Sequence, residues 1–300
     1  MIRARDRFHA PVHRRSRVLA LVPHFQCEEW LGDCLDALTE QTRPPDGIAV
    51  IDDGSPEAPL RIVRRFPQVT LLQARENGGP YRLIQTLIQD TGYDAYLFND
   101  ADDWSAPCRL ERLLETAEQT GAELVGSWEV RLLCREGDVA LIPYPSDVNE
   151  ILEKDPCALP LLLPTSLVGR DLVVRTGGFA GGMRFSGDAE FLCRAHHVAR
   201  VVNAAEYLYV RRERDGGPTS SSETGLRSGA RREVQERLWA RARENAARVQ
   251  KGDPPVLDPL AVASPAELHH LAGPRLVPCP RAVSRVHSDE GGTKEPRPCP

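Results

Sequence analysis

The chain has 300 residues, 41% of them hydrophobic and 27% charged, with a formal net charge of -5. That length accommodates one large α/β domain or two smaller ones with a sizeable core, and the mild acidic balance excludes the strongly basic footprint of a nucleic-acid binder. Cys27, Cys34, Cys108, Cys134, Cys157, Cys193, Cys279 and Cys299 are scattered without a C-x-x-C pair or neighbouring histidines. The spacing therefore predicts reduced, mostly buried thiols rather than a zinc site or a disulfide framework.

Residues 1–16 form a basic arm, with Arg3, Arg5, Arg7, Arg14 and Arg15 against Asp6. A disordered, solvated arm is expected, and an anionic membrane surface is the partner it would touch peripherally. Neither a secretory signal nor an apolar run of about 20 residues is present, so a cytoplasmic protein is expected.

Residues 17–22 read as a first buried strand, stopped by Pro23. From 28 to 41, Trp30, Leu31, Cys34, Leu35 and Leu38 recur at helical spacing. Residues 47–51 predict a second strand that ends at Asp52 and Asp53, with Ser55 as cap of a helix opening at Pro56. A third strand is expected at 69–72 and a third helix on the stripe Tyr81, Ile84, Leu87 and Ile88 after the turn at 77–80. The apolar run ending at Phe98 then discharges into Asp100, Asp102 and Asp103. A further helix near 107 and a strand over 123–133 follow. Strands alternating with crossover helices predict a Rossmann-like, doubly wound, mostly parallel sheet flanked by helices.

The pattern is poor between 138 and 164, where Leu159 to Leu163 suits a core or an acceptor wall. It returns with a helix at 171–175, a helix opening at Asp188, and a strand at 204–211 leading into a cover loop at 212–218. Residues 226–251 read as a charged helix with a thin apolar stripe, and the proline-rich remainder, including His269 and His270, as a solvated tail.

Phe25, Asp53 and the acids at 100–103 all fall just past the carboxyl ends of predicted strands, where open α/β sheets bind ligands. Clustered carboxylates repel one another, and either open water or a hard cation relieves them. The residues leave a solvated turn and a metal site both open.

Four ordered blocks resemble the inverting family 2 glycosyltransferases of the GT-A fold over residues 18–219. They are Leu-Val-Pro-His-Phe at 21–25, Val-Ile-Asp-Asp-Gly-Ser at 50–55, Phe-Asn-Asp-Ala-Asp-Asp-Trp-Ser-Ala-Pro at 98–107, and Gly-Gly-Phe at 177–179 with Gly-Asp-Ala-Glu-Phe at 187–191. The resemblance implies that Phe25 lies against the donor nucleobase, Asp53 contacts uracil, and Asp100 faces the ribose or the metal shell. It further implies that Asp102, supported by Asp103, binds Mn2+ or Mg2+ and that Asp188 is the general base. Glu190, two positions further into the helix, faces another side.

The family's arginine after the Asn-Gly-Gly turn is not matched; Arg82 is the substitute for phosphate contact. On this reading residues 17–135 bind a nucleotide-diphosphate sugar, a UDP-sugar, and 136–219 hold the base and an unidentified hydroxyl acceptor. Residues 220–251 form a helical appendage and 252–300 a mostly disordered tail. A rival phosphatase loop would need an acid at Ile51, and a nucleotidyltransferase would need a glycine-rich basic loop after the first strand. A non-catalytic sugar-nucleotide-binding protein is the alternative from another class.

Overall fold

The structure, a computed structural model, describes residues 12–133, 137–213, 225 and 228–280. Its first half alternates strand and helix: β1 (Val18–His24), α1 (Glu28–Thr39), β2 (Gly47–Asp52), α2 (Leu60–Val63), β3 (Val69–Ala74), α3 (Pro80–Asp90) and β4 (Ala95–Phe98). These strands pair parallel in the order β3-β2-β1-β4, the arrangement expected of crossover connections.

Both faces of this sheet are covered, which is why its strands are continuous apolar runs rather than alternating ones. Val18, Ala20 and Val22 of β1 pack with Leu31, Leu35 and Leu38 of α1 on one face. Leu19 and Leu21 pack with Leu83, Ile84 and Leu87 of α3 on the other. Truncating any of these fully buried leucines to alanine costs about 2–5 kcal/mol.

The second half contributes β5 (Trp104–Ser105), α4 (Arg109–Thr120), β6 (Leu124–Leu133), β7 (Asp138–Ile142), α5 (Val148–Lys154), a 3-10 turn (Leu163–Thr165), β8 (Leu167–Gly169), α6 (Arg170–Arg175), α7 (Gly187–Ala195) and β9 (Val201–Glu213). Here the sheet becomes mixed. β8 runs antiparallel to both β4 and β6, and β9 runs parallel to β6 with register shifts between Ser127 and Glu129. The chain continues through α8 (Gly229–Gln250), N-capped by the Ser228 hydroxyl, to β10 (Leu268–Ala272), which pairs antiparallel with the edge strand β3.

The structure departs from the expected layout in several places. Residues 252–280, expected to be a disordered tail, form an ordered strap, while 281–300 lie outside the described residues. Asn245 in α8 exchanges two hydrogen bonds with the backbone of Val256 (2.8 and 3.0 Å), Leu260 N donates to Glu190, and Ala266 N to the Thr86 hydroxyl. Prolines keep this segment from building structure of its own, but its backbone groups find partners far away in sequence, and β10 closes a sheet edge that would otherwise be bare.

Residues 12–16 of the expected arm are likewise ordered: Val12 is buried, and Arg14 pairs with Glu115 and Glu118. Residues 1–11 lie outside the described residues, as do 214–218 of the expected cover loop. β7 and α5 occupy the region of poor pattern, α5 capped by Asp147, which accepts from Glu150 N at 3.0 Å. α2 starts at Leu60 rather than Pro56 because Ser55 does not cap it; its hydroxyl donates to Asp52 at 2.6 Å. The six described cysteines are free thiols, with Cys27, Cys34, Cys193 and Cys279 buried. Among the described residues no helix is long and apolar enough to cross a membrane.

Candidate active site

Strand register assembles the site. His24 at the end of β1 lies opposite Asp52 at the end of β2, and Phe98 at the end of β4 lies opposite Leu21, so all three strands finish along one edge. Phe25, the first residue past β1, is 42% exposed there, an apolar ring left at the rim.

The acids after β2 divide their work. Asp52 is buried and belongs to the frame: it accepts from Ser55 N, Ser55 Oγ and Gln73 Nε2, and meets His24 Nδ1 at 2.8 Å. Burial opposes charge on His24, but hydrogen bonds to Asp52 and Cys27 outweigh it and raise its pKa to about 9. Asp53 accepts from Gly78 N at 2.8 Å and Gly79 N at 2.9 Å, clamping the turn before α3. Burial pushes its pKa up against those two hydrogen bonds. Gly54, at φ +72°, permits this approach; a Cβ there would meet Asn77 N at 2.9 Å.

The acidic turn after β4 divides in the same way. Asp103 is 2% exposed and turned inward, accepting from Tyr209 Oη at 2.8 Å and from Arg212 N at 2.7 Å. Burial, then repulsion from Asp100 and Asp102, hold its pKa well above the ordinary carboxylate range. Both oxygens of Asp103, expected in support of a metal, are engaged in fastening β9 to the turn. Asp102 is half-buried, and Asp100 is exposed at the sheet edge. Loss of hydration around the Asp100 carboxyl is nevertheless the largest cause raising its pKa to about 7, with the Asp102 carboxylate next and Arg211 pulling the other way.

Beneath the turn lies Arg109, fully buried, whose guanidinium donates to Asn99 Oδ1, Ser105 Oγ, Phe98 O and Pro164 O at 2.7–2.9 Å and stacks on Tyr209. Burial lowers its pKa to about 10, so it stays charged at neutral pH.

Asp188 sits in the first turn of α7, half-buried, after Ser186 in the left-handed region at φ +62°. Tyr81 Oη donates to Asp188 Oδ1 at 3.0 Å, and a Cβ on Gly187 would meet the Tyr81 ring at 2.7 Å. Tyr81 opens α3 directly after the Gly78–Gly79 turn clamped by Asp53, so one helix N-terminus joins the expected donor residues to the expected base. Glu190 is not available for such work. It is buried against Arg194 at 2.5 Å and accepts from Leu260 N at 3.0 Å.

Arg82 is placed differently from expectation. Its Nε donates to Ser264 O at 2.9 Å and its Nη1 to Glu76 at 3.1 Å, so it braces the strap rather than standing open to a phosphate. The cations beside the acids come from the end of β9, whose sequence shows only a strand running into a loop. Burial works against charge on Arg211, but Glu129, Asp103 and Asp100 outweigh it and raise its pKa. Arg212 lies over the rings of Trp104 and Trp30 and donates to Asp102 O at 3.2 Å. Tyr81 was also missed, having the signature of an ordinary apolar helix position; only the contact with Asp188 gives it meaning.

The donor set suits a hard divalent cation. Asp100 and Asp102 are adjacent oxygen donors whose mutual repulsion is visible in the raised pKa of Asp100. Among the described residues no three acidic, histidine or cysteine side chains converge on one metal position. A cation held by one or two carboxylates takes its other ligands from water and substrate phosphates.

Residues 20–135 match the family model described as glycosyl transferase family 2. Over that stretch the chain is similar to the family. The matched stretch runs from β1 to the end of β6 and carries the acids of both turns; α7 and the strap lie beyond it. Among curated relatives, glycosyltransferase AglE of Haloferax volcanii is 28% identical over 185 residues, 59% of this chain and 60% of that protein, so the chain spans less than two thirds of its length.

The GT-A fold is shared with S. aureus TarS 1-349 in complex with UDP-GlcNAc: TM-score 0.58 and 17% identity over 78% of this chain and 73% of that one. It is shared too with the mannosyltransferase PcManGT from Pyrobaculum calidifontis in complex with GDP-Man and Mn2+: TM-score 0.55 and 21% identity over 69% of this chain and 60% of that one.

Proposed function

We propose that this chain is a family 2 glycosyltransferase that moves a sugar from a nucleotide-diphosphate sugar, a UDP-sugar, to an acceptor hydroxyl by a single inverting displacement, with Asp188 as general base. The observation that carries the proposal is the Tyr81–Asp188 hydrogen bond at 3.0 Å, because it seats a carboxylate beside the turn held by Asp53. The acceptor hydroxyl loses its proton to Asp188 as its oxygen bonds to the anomeric carbon, and the bond to the diphosphate oxygen breaks with its electron pair leaving on the diphosphate. Tyr81 acts through Asp188, fixing the rotamer of the base.

On the donor side Phe25 offers a ring for the nucleobase, Asp53 a carboxylate for its N–H, and Asp100 faces the ribose. Asp102, with Asp100 beside it, would hold Mn2+ or Mg2+, whose chemistry is to neutralise the departing diphosphate. Arg211 adds fixed positive charge next to the same acids. The complexes of TarS with UDP-GlcNAc and of PcManGT with GDP-Man support a sugar nucleotide as substrate class. A screen of UDP- and GDP-sugars for hydrolysis with and without Mn2+ tests the reading. Metal-dependent release of nucleotide from a UDP-sugar is expected, and tight nucleotide binding without any turnover would favour a binding-only protein.

A further inference from the structure

A concavity beside the segment that leads into α7 is used by nothing described so far. A cavity of about 240 Å³ lies between the segment that leads into α7, the face of α8, and the strap. Met183, Phe185, Val234 and Leu260 supply apolar wall, and Arg184 and Arg237 supply charge. Among the described residues that line it, none is acidic. Arg231 adds a third guanidinium, 4.9 Å from the Phe185 ring centroid.

The cavity is tied to both sides of the reaction. Arg184 donates to Asn77 Oδ1 at 3.1 Å, and its charge acts on Asp53, so its guanidinium lies toward the donor turn. Phe185 precedes Asp188 by three residues. The opposite wall exists because the buried stripe of α8, Leu238, Ala242 and Asn245, stops short of Val234, which remains only partly covered at the cavity.

An apolar lining with arginines at the rim and no carboxylate suits one kind of occupant, an apolar chain ending in an anionic group. We propose that this cavity is an acceptor subsite for an amphiphilic, phosphate-bearing acceptor, the apolar portion lying along Met183, Phe185 and Val234 and the phosphate meeting Arg184 and Arg237. This assignment rests on the glycosyl-transfer reading above, since the hydroxyl it delivers is the one deprotonated by Asp188. At about 240 Å³ the cavity holds only part of such a molecule, leaving the reacting end at the Asp188 side.

Calorimetric titration of the full chain tests it with four probes: n-decyl phosphate below its micellar concentration, n-octyl glucoside, inorganic phosphate, and phosphatidylglycerol vesicles. Decyl phosphate is expected to bind at least tenfold more tightly than octyl glucoside or inorganic phosphate. Val234→Trp, which fills the cavity, and Arg237→Glu, an exposed substitution, should each weaken it tenfold or more.

Equal binding of inorganic phosphate, equal binding of octyl glucoside, binding to vesicles alone, or unchanged affinity in both variants would overturn the proposal. UDP titrated into the wild-type protein separates the two readings. A protein that binds UDP but not decyl phosphate keeps the donor site and loses the subsite; the converse keeps the subsite and refutes the donor site.

Discussion

The turns after β2 and β4 are built alike and differ in what they leave open. Each presents consecutive acids, and each turns one into the fold: Asp52 onto His24, Ser55 and Gln73, and Asp103 onto Tyr209 and Arg212. After β2 the remaining acid, Asp53, is also engaged, holding a backbone turn in place. After β4 Asp102 is half-buried and Asp100 exposed, with a carboxyl whose pKa is raised to about 7. The first turn is thus a shaped cradle, and the second gathers acids at the sheet edge beside the charge of Arg211. α7 repeats the division within one helix turn, Glu190 locked to Arg194 and Asp188 at the cleft.

Substitutions that separate the frame acids from the site acids test this contrast. The largest effect is expected at Asp188: Asp188→Asn should lower transfer by about 10²–10⁴-fold, the usual contribution of a general base, with nucleotide affinity unchanged. Glu190→Gln should instead act on stability, since it leaves Arg194 buried without its charge partner, a loss of about 3–5 kcal/mol readable in urea unfolding. If Glu190→Gln silenced transfer in a fully stable protein, the division within α7 would be wrong.

Asp102→Ala should weaken donor binding at least tenfold in the presence of Mn2+ and little in its absence, measured by calorimetry. Asp103→Asn should lower the melting temperature first, because it disturbs the bonds to Tyr209 and Arg212. Tyr81→Phe should reduce kcat by roughly tenfold with KM unchanged, about what losing one hydrogen bond to a charged group implies. Tyr81→Phe with a raised KM and unchanged kcat would move Tyr81 from base positioning to substrate binding.

The smallest effect is a pH dependence of the cradle. Because folding raises the His24 pKa from 6.5 to about 9, the stability contributed by charged His24 beside Asp52 is complete below about pH 6.5 and is lost as pH rises through about 9. Urea midpoints should fall over that interval, and Asp52→Asn should flatten the fall.

The first half was legible because its signals are local. The runs at β1, β2 and β4 are buried on both faces and end in turn residues, so strand, turn and acid appear consecutively in sequence. The second half was less legible because its determinants are distant. β10 is identified only by its pairing with β3, far earlier in the chain, and the strap only by bonds such as Ala266 N to Thr86. Asp188 was readable as a helix-opening acid, but its partner Tyr81 was not: a tyrosine at apolar helical spacing looks like core until another helix meets its hydroxyl. The bond from Arg82 to Ser264 was unreadable for the same reason, since Ser264 lies on the strap.

The central claim is that one sheet edge binds a sugar nucleotide and that Asp188 acts on it without helping to hold it. Calorimetry of UDP with Mn2+, paired with turnover of the best UDP-sugar by wild type and Asp188→Asn, tests it most directly. The account predicts UDP affinities within about twofold of each other and turnover at least 100-fold lower in the variant, the low end of general-base contributions. Equal turnover, or a loss of turnover that follows a matching loss of UDP affinity, would contradict it.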